Sequence, residues 1–490
     1  MTTLGDIYRP SLALLTDLYQ LTMAYAYWKS GTAEKESVFH LFFRRNPFGG
    51  GYAVACGLHR ALELLERFRF DEADLEYLGG LAGDDGRPIF EPDFLRHLGD
   101  QVLRCDVDAM PEGTVAFPFQ PLLRVRGPIL QAQLLETALL NVLNFETLIA
   151  TKAARICLAA RGKPVLEFGL RRAQGIDGGL SASRAAYVGG CAATSNVLAG
   201  RLYGIPVRGT HAHSWVMSFG SEREAFQAYA EALPNNGVFL VDTYDTLEGV
   251  RHAVEVGRWL RQQGHDLAGI RLDSGDLAYL SIQARRILDA AGFPKAVIVA
   301  SNELDENVIA SLEEQGAQIG AWGVGTELVT GGPQPALGAV YKLGAVRSGD
   351  GDWRHVVKLS EQAVKVTNPG VQQVRRYGDG AQWAADVIWD ELQGLPEAST
   401  MVDPQDPLRR RALPAATQWT DLLVPVLRGG RRVYEAPPLA AVRARVQEQL
   451  AGFHPGVKRF LNPHKYPVGL ESGLFDLKTR LVLAQRGVAA

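Results

Sequence analysis

The chain has 490 residues, of which 47% are apolar and 21% charged, and its net charge is −3. That length exceeds one ordinary domain, and the composition is that of a globular enzyme rather than a disordered chain. No basic footprint for nucleic acid is present, no apolar run approaches the roughly 18 residues of a membrane span, and the N-terminus lacks a signal-peptide pattern, so a cytoplasmic protein is expected. Four widely spaced cysteines without a CxxC pair argue against both a zinc site and a disulfide framework.

Residues 1–130 read as an α+β domain. Apolar residues recur at helical spacing over 14–28, behind the cap candidate Thr16-Asp17 and before the stop at Gly31. A strand over 37–43 leads into the basic, glycine-rich loop 44–51, which suits an anion or a plain turn equally. Short acidic helices fill 58–104, strand character returns over 114–127, and 132–160 is a long, buried helical stretch.

Over 131–345 the pattern changes to a rhythm. Apolar strands at 164–168, 205–207, 238–241, 269–272, 296–300 and 319–322 alternate with helical segments, which predicts parallel β/α units closing into an irregular β/α barrel. Each strand runs into polar groups. Glu167 to Arg172 follows the first, Thr210, His211, His213 and Ser214 the second, and Asp242 and Asp245 the third. Arg271, Asp273 and Asp276 mark the fourth, Ser301 and Asn302 the fifth, and Gly323, Gly325 and Thr326 the last. In such barrels the active site forms at the carboxyl ends of the strands, so this joint pattern predicts chemistry there.

Arg171, Arg172 and Arg271 supply planar cationic forks for carboxylate or phosphate. The four aspartates suit Mg²⁺ or sugar hydroxyls, although each taken singly is equally a helix cap. The Gly323-Val-Gly-Thr326 turn offers backbone N–H groups and a hydroxyl to a phosphate, and it matches neither a dinucleotide fingerprint nor a Walker A loop. Beyond 345 the alternation stops. Residues 358–365, 372–377 and 422–427 read as strands, 404–414 as a linker and 439–450 as a helix, together a C-terminal α+β extension over 346–490 packed on the N-terminal domain and partly completing it.

Taken in order, Leu15-Thr-Asp-Leu-Tyr-Gln20, Glu167-Phe-Gly-Leu-Arg-Arg172, Gly209-Thr-His-Ala-His-Ser214, Arg271-Leu-Asp-Ser-Gly-Asp276, Ser301-Asn302, Gly323-Val-Gly-Thr326, Val340-Tyr-Lys-Leu343 and Asn462-Pro-His-Lys-Tyr-Pro467 resemble the nicotinate phosphoribosyltransferase family over nearly the whole chain. The resemblance implies that nicotinate and 5-phosphoribosyl 1-diphosphate give nicotinate mononucleotide and pyrophosphate, the first step of NAD salvage from nicotinate, with ATP as co-substrate and Mg²⁺ as cofactor. Carried over by motif, His213 becomes the histidine phosphorylated by ATP. Tyr19, Thr210 and Arg271 line the nicotinate pocket, with Arg271 on the carboxylate. Thr326 with Gly323 and Gly325 takes the sugar phosphate, and Arg171 and Ser301 join the phosphoribosyl site. Asp242 and Asp273 act on ribose or metal. A homodimer is implied, with the Tyr19 segment of one chain over the barrel of the other. His211 is a departure from the usual small or apolar residue and is expected to pack.

Three rival readings fit the residues less well. Quinolinate phosphoribosyltransferase lacks the His-Ser motif. Nicotinamide phosphoribosyltransferase grips its amide with an acid near 190–196, where this chain has the neutral Thr194 and Ser195. A His-x-His amidohydrolase needs further histidines at later strand ends, whereas His252 and His265 fall in helical or turn segments.

Overall fold

The computed structural model describes residues 11–380, 382–397, 399–413 and 418–488. The N-terminal segment read above for a signal pattern, and Pro414, lie outside them. Among the described residues no helix is long and apolar enough to cross a membrane. The chain forms two compact units. One runs up to Thr147 and adds Ala336–Pro438 and the chain from Glu448 onward, and the other is Leu148–Pro335 with Leu439–Gln447.

The second unit is built on six parallel strands. They are β1 (Val165–Glu167), β2 (Ala193–Thr194), β3 (Val238–Leu240), β4 (Gly269–Leu272), β5 (Val297–Ala300) and β6 (Ala321–Val324), in the spatial order β2-β1-β6-β5-β4-β3. Both faces of such a sheet are covered, which is why the strands read as continuous apolar runs. The segment expected as a strand at 205–207 makes only an isolated parallel bridge, Val207 to Thr194. It nevertheless pairs with one edge of the sheet, because the Thr194 N–H donates to Pro206 O and the Arg208 N–H to Thr194 O, both at 3.0 Å. A few residues on, His211 accepts the Leu240 N–H of the opposite edge strand. One segment therefore spans both edges, and the sheet is closed in the manner of an irregular β/α barrel.

Helices are seated close to the strand ends by small residues. Helix α1 (Thr246–Gln262) buries Val250, Ala253, Val254, Val256 and Leu260 along one face and is capped by Asp245, whose carboxylate accepts the Glu248 N–H at 2.9 Å. A Cβ at Gly249 would lie 2.1 Å from Val241 O, so only glycine lets this helix press against the end of β3, next to Asp242. Helix α2 (Leu277–Ala290) is capped in the same way by Asp276, which accepts the Tyr279 N–H at 3.0 Å.

The first unit is α+β. A seven-stranded antiparallel sheet centres on Glu36–Phe43, paired with Ala339–Arg347 and Leu123–Pro128. Helices Leu18–Lys29 and Pro92–Gly99 pack over an aromatic core that includes Phe90 and Phe94. The N-terminal helix begins at Leu18, four residues later than its periodicity predicts, behind Asp17. A six-stranded mixed sheet takes its strand Val468–Glu471 from near the end of the chain, between Trp383–Asp390 and Thr400–Asp403. Two expectations are corrected here. The region 404–414 is not a linker, since Asp406–Ala412 is a strand antiparallel to Thr400–Asp403; it is an exposed edge strand, and its arginines and Pro407 are the residues that protect such an edge. Residues 358–365 form no strand and end in a 3-10 turn, Ala363–Lys365.

Opposite each other on neighbouring strands of the mixed sheet, Asp386 and Arg376 are fully buried and paired at 2.8 and 2.6 Å. Gln120 Nε2 donates to Asp386 at 2.7 Å and the Tyr466 hydroxyl at 3.0 Å, which satisfies the carboxylate on every side. The Tyr466 ring stacks on Phe117 at 4.4 Å. The 462–467 motif thus contributes its tyrosine to the core of the unit.

Candidate active site

The carboxyl end of the barrel collects the polar strand ends. His213 opens the short helix His213–Met217 and is half-buried. Its Nδ1 meets Thr243 Oγ1 at 3.1 Å, which turns Nε2 toward two carboxylates, Asp273 Oδ2 at 3.8 Å and Asp242 Oδ1 at 4.0 Å. Asp242 lies two residues past the end of β3, and its side chain is 1% exposed. Its Oδ2 accepts the Asp273 N–H and the Ser274 hydroxyl, both at 2.7 Å, while Oδ1 is buried without a hydrogen-bond partner among the described residues. Asp273 Oδ1 in turn accepts the Ser301 hydroxyl from the end of β5. Beside Ser301, Asn302 holds φ 114°, a left-handed conformation uncommon outside glycine and often found where a strand end is bent to serve a site.

Arg271 stands on β4 with its guanidinium donating to Thr210 Oγ1. Burial lowers its pKa, the nearby Asp273 and Asp242 raise it, and Arg171 lowers it. Its Nε is buried with no hydrogen-bond partner among the described residues. A guanidinium held this way, with a second one in electrostatic range, has an unmet demand for an anion. Arg171 itself is exposed on the 3-10 turn Leu170–Arg172.

The four strand-end aspartates therefore divide. Asp242 and Asp273 face His213, whereas Asp245 and Asp276 are helix caps. Gly323 lies buried in β6, where a Cβ would stand 2.7 Å from the Phe168 ring and 3.4 Å from Ser301 Cβ. Gly325 and Thr326 follow at the strand end, Thr326 exposed as the first residue of the turn Thr326–Val329. Tyr19 belongs to the other unit, on the helix Leu18–Lys29, and is 49% exposed; burial, Glu136 and Asp17 raise its pKa.

Sequence reasoning assigned no role to Thr243 or Ser274, yet each fixes a site group. Both sit directly after an aspartate at a strand end, the signal that could have marked them. Thr194, read above as a neutral pocket residue, instead donates to Glu167 Oε2, which also accepts the Ser183 hydroxyl at 2.9 Å. Glu167 is 1% exposed and also takes the Gly169 N–H, so this acid anchors the β1 turn.

Asp242 and Asp273 offer carboxylate oxygens, one of them buried without a hydrogen-bond partner, beside an imidazole. That donor chemistry fits Mg²⁺, a hard oxygen-seeking ion. A separate trio, Cys56, Glu112 and Glu146, has ligand atoms within 4.8 Å of one another in the first unit, where the thiol reaches both carboxylates at 3.7 Å. His252, on α1, is paired with Glu222 at 2.9 Å.

Three models of one family match the chain in succession: the nicotinate phosphoribosyltransferase N-terminal domain over residues 14–144, the nicotinate phosphoribosyltransferase family over 165–370, and the C-terminal domain over 372–478. The nicotinate phosphoribosyltransferase of Bacillus subtilis is 42% identical over 477 residues, 96% of this chain and 95% of that one. The chain belongs to the nicotinate phosphoribosyltransferase family. The human nicotinate phosphoribosyltransferase is 37% identical over 536 residues, covering 96% of this chain and 97% of that one. The crystal structure of human nicotinic acid phosphoribosyltransferase superposes with a TM-score of 0.82 at 35% identity, over 95% of this chain and 99% of that chain. The family's central model, over 165–370, takes in all six barrel strands and the whole His213 cluster.

Proposed function

We propose that the chain transfers the 5-phosphoribosyl group of 5-phosphoribosyl 1-diphosphate to nicotinate, giving nicotinate mononucleotide and pyrophosphate in NAD salvage, with ATP hydrolysis coupled through phosphorylation of His213. The observation that carries this reading is the unmet anion demand of Arg271 beside the His213, Asp242 and Asp273 cluster, in a chain of this family. In the transfer, the nicotinate ring nitrogen forms a bond to the anomeric carbon as the bond from that carbon to the pyrophosphate oxygen breaks. The ring nitrogen is already a nucleophile, so no base is required. Arg271, fixed by Thr210, takes the nicotinate carboxylate in a bidentate pair. Positive charge grows on the ribose as pyrophosphate leaves, and Asp242 and Asp273 stabilise it there.

Thr243 occupies Nδ1 of His213, leaving Nε2 as the atom that accepts the ATP γ-phosphoryl and later yields it to water. Asp242 and Asp273 are the residues that would hold Mg²⁺, which when bound offsets the charge of the phosphate oxygens. Arg171, Ser301, Gly323, Gly325 and Thr326 form the phosphoribosyl side of the site. The active form is a homodimer in the cytoplasm, with Tyr19 of one chain completing the nicotinate pocket of its partner.

The test is product formation from 5-phosphoribosyl 1-diphosphate and Mg²⁺ with nicotinate, nicotinamide or quinolinate, with and without ATP, for the native chain and His213→Ala. Nicotinate-selective turnover, stimulated by ATP only while His213 is present, is expected. Turnover of nicotinamide in its place would refute the role of Arg271.

A further inference from the structure

The first histidine of the motif, His211, takes no part in that scheme, and its surroundings give it a different task. The β2 edge of the barrel sheet is covered by backbone pairing with 206–208, as described above. Among the described residues the β3 edge has no strand beside it. There the acceptor for the Leu240 N–H is a side chain, His211 Nε2 at 3.3 Å. Nδ1 stands 3.4 Å from Ala212 O, so one neutral tautomer serves both contacts, Nδ1–H donating and Nε2 accepting. The ring is 8% exposed and lies against Tyr229, Phe226 and Phe239, with centroids at 4.9, 6.0 and 6.5 Å. Burial holds its pKa down to about 4, with Arg271 and His213 pushing the same way and the Ala212 carbonyl opposing them, so the acceptor lone pair stays available.

We infer that His211 is a positioning residue, whose imidazole stands in for a strand carbonyl at the barrel seam and thereby fixes the segment that presents Thr210 to Arg271 and His213 to the carboxylates. Thr210 precedes it by one residue and His213 follows by two, so any slip of 210–213 along β3 displaces both partners together. A displacement of about 1 Å at such groups lowers turnover by on the order of a hundredfold. Small or apolar residues at this position would leave the Leu240 N–H buried without an acceptor.

The inference rests on the proposed transfer for its kinetic consequence but not for its structural one, and the test separates them. Hydrogen exchange at the Leu240 amide is measured on the full chain for the native protein, His211→Phe and His211→Gln, alongside kcat and KM for nicotinate. Phenylalanine keeps the aromatic packing and removes the acceptor. Glutamine keeps an acceptor near the position of Nε2. Expected are exchange at Leu240 at least tenfold faster in His211→Phe, with kcat lowered by about ten- to a hundredfold, and both restored to within about threefold of native by His211→Gln. Native exchange or native kcat/KM in His211→Phe would overturn the inference. So would a glutamine variant as impaired as the phenylalanine one, a comparison that stands even if His211→Phe does not fold. Should the native chain show no phosphoribosyl transfer, the functional reading fails, while the exchange data still decide the seam.

Discussion

Asp242, Asp245, Asp273 and Asp276 look alike in sequence, each beside a strand end, yet hydrogen bonding gives them separate fates. Asp245 and Asp276 satisfy helix N-termini, and their replacement by alanine should lower stability by about 1 kcal/mol each while sparing turnover. Asp242→Ala and Asp273→Ala should instead reduce kcat by on the order of a hundredfold or more, because both face His213, where the proposed transfer takes place. Steady-state kinetics with a thermal melt on all four variants checks this, and equal loss of activity across the set would refute the division. Thr243→Val makes a narrower test at the same scale. It removes the partner of His213 Nδ1 at nearly constant volume, frees the ring to rotate, and should lower ATP-stimulated turnover about tenfold while leaving the KM for nicotinate unchanged. A raised KM with unaltered kcat would place Thr243 in substrate binding instead.

Among the elements, the seam between β2 and β3 is the weak join of the barrel, and it makes stability depend on pH. His211 is lowered from the usual 6.5 to about 4 in the folded chain. Below pH 6.5 the unfolded chain takes up a proton that the folded chain does not, so stability falls as pH drops toward 4 and is unaffected by this group above 6.5. Between pH 7 and 5 the native protein should lose about 2 kcal/mol more than His211→Gln, which has nothing to titrate there. Denaturant midpoints of both proteins at the two pH values give the difference, and parallel losses would mean that His211 is protonated in the fold. Why five of the six expected strands were legible follows from the same architecture. Strands covered on both faces are runs of Val, Ile, Leu and Ala, and period alone finds them. The two-residue strand Ala193–Thr194 is too short to leave a pattern, and the 205–207 run, apolar like the others, lies at the seam and pairs only once. The 404–414 region misled because its proline and arginines signal a linker and an edge strand alike. Residue type and spacing alone did not separate the aspartates that cap from those that face His213, since both duties call for the same residue at the same place; only the family resemblance singled out Asp242 and Asp273.

At the scale of the molecule, the first unit is assembled from three separated stretches, and its long-range contacts carry that assembly. Arg376 and Asp386 are adjacent in one sheet, but Gln120 and Tyr466, far off in sequence, complete their hydrogen bonds. Arg376→Met strips the buried carboxylate of its cation and should destabilise the protein by about 3 kcal/mol, much of it recovered in Arg376→Met/Asp386→Leu. A melt of both variants measures it, and a double variant no more stable than Arg376→Met would show that the pair itself is a net stabiliser. The homodimer proposed above makes a sharper demand. If Tyr19 of one chain completes the pocket of its partner, then Tyr19→Ala and His213→Ala impair different halves of each site. Chains carrying one substitution each, mixed so that subunits exchange, would form heterodimers with one intact site and one doubly damaged site, and about a quarter of native activity should return. If Tyr19 serves its own chain, or the protein acts as a monomer, every site in the mixture keeps one lesion and no activity returns. Mixing therefore distinguishes a shared site from a self-contained one without any structure of the assembly, and light scattering on the same samples ties the recovered activity to the dimer.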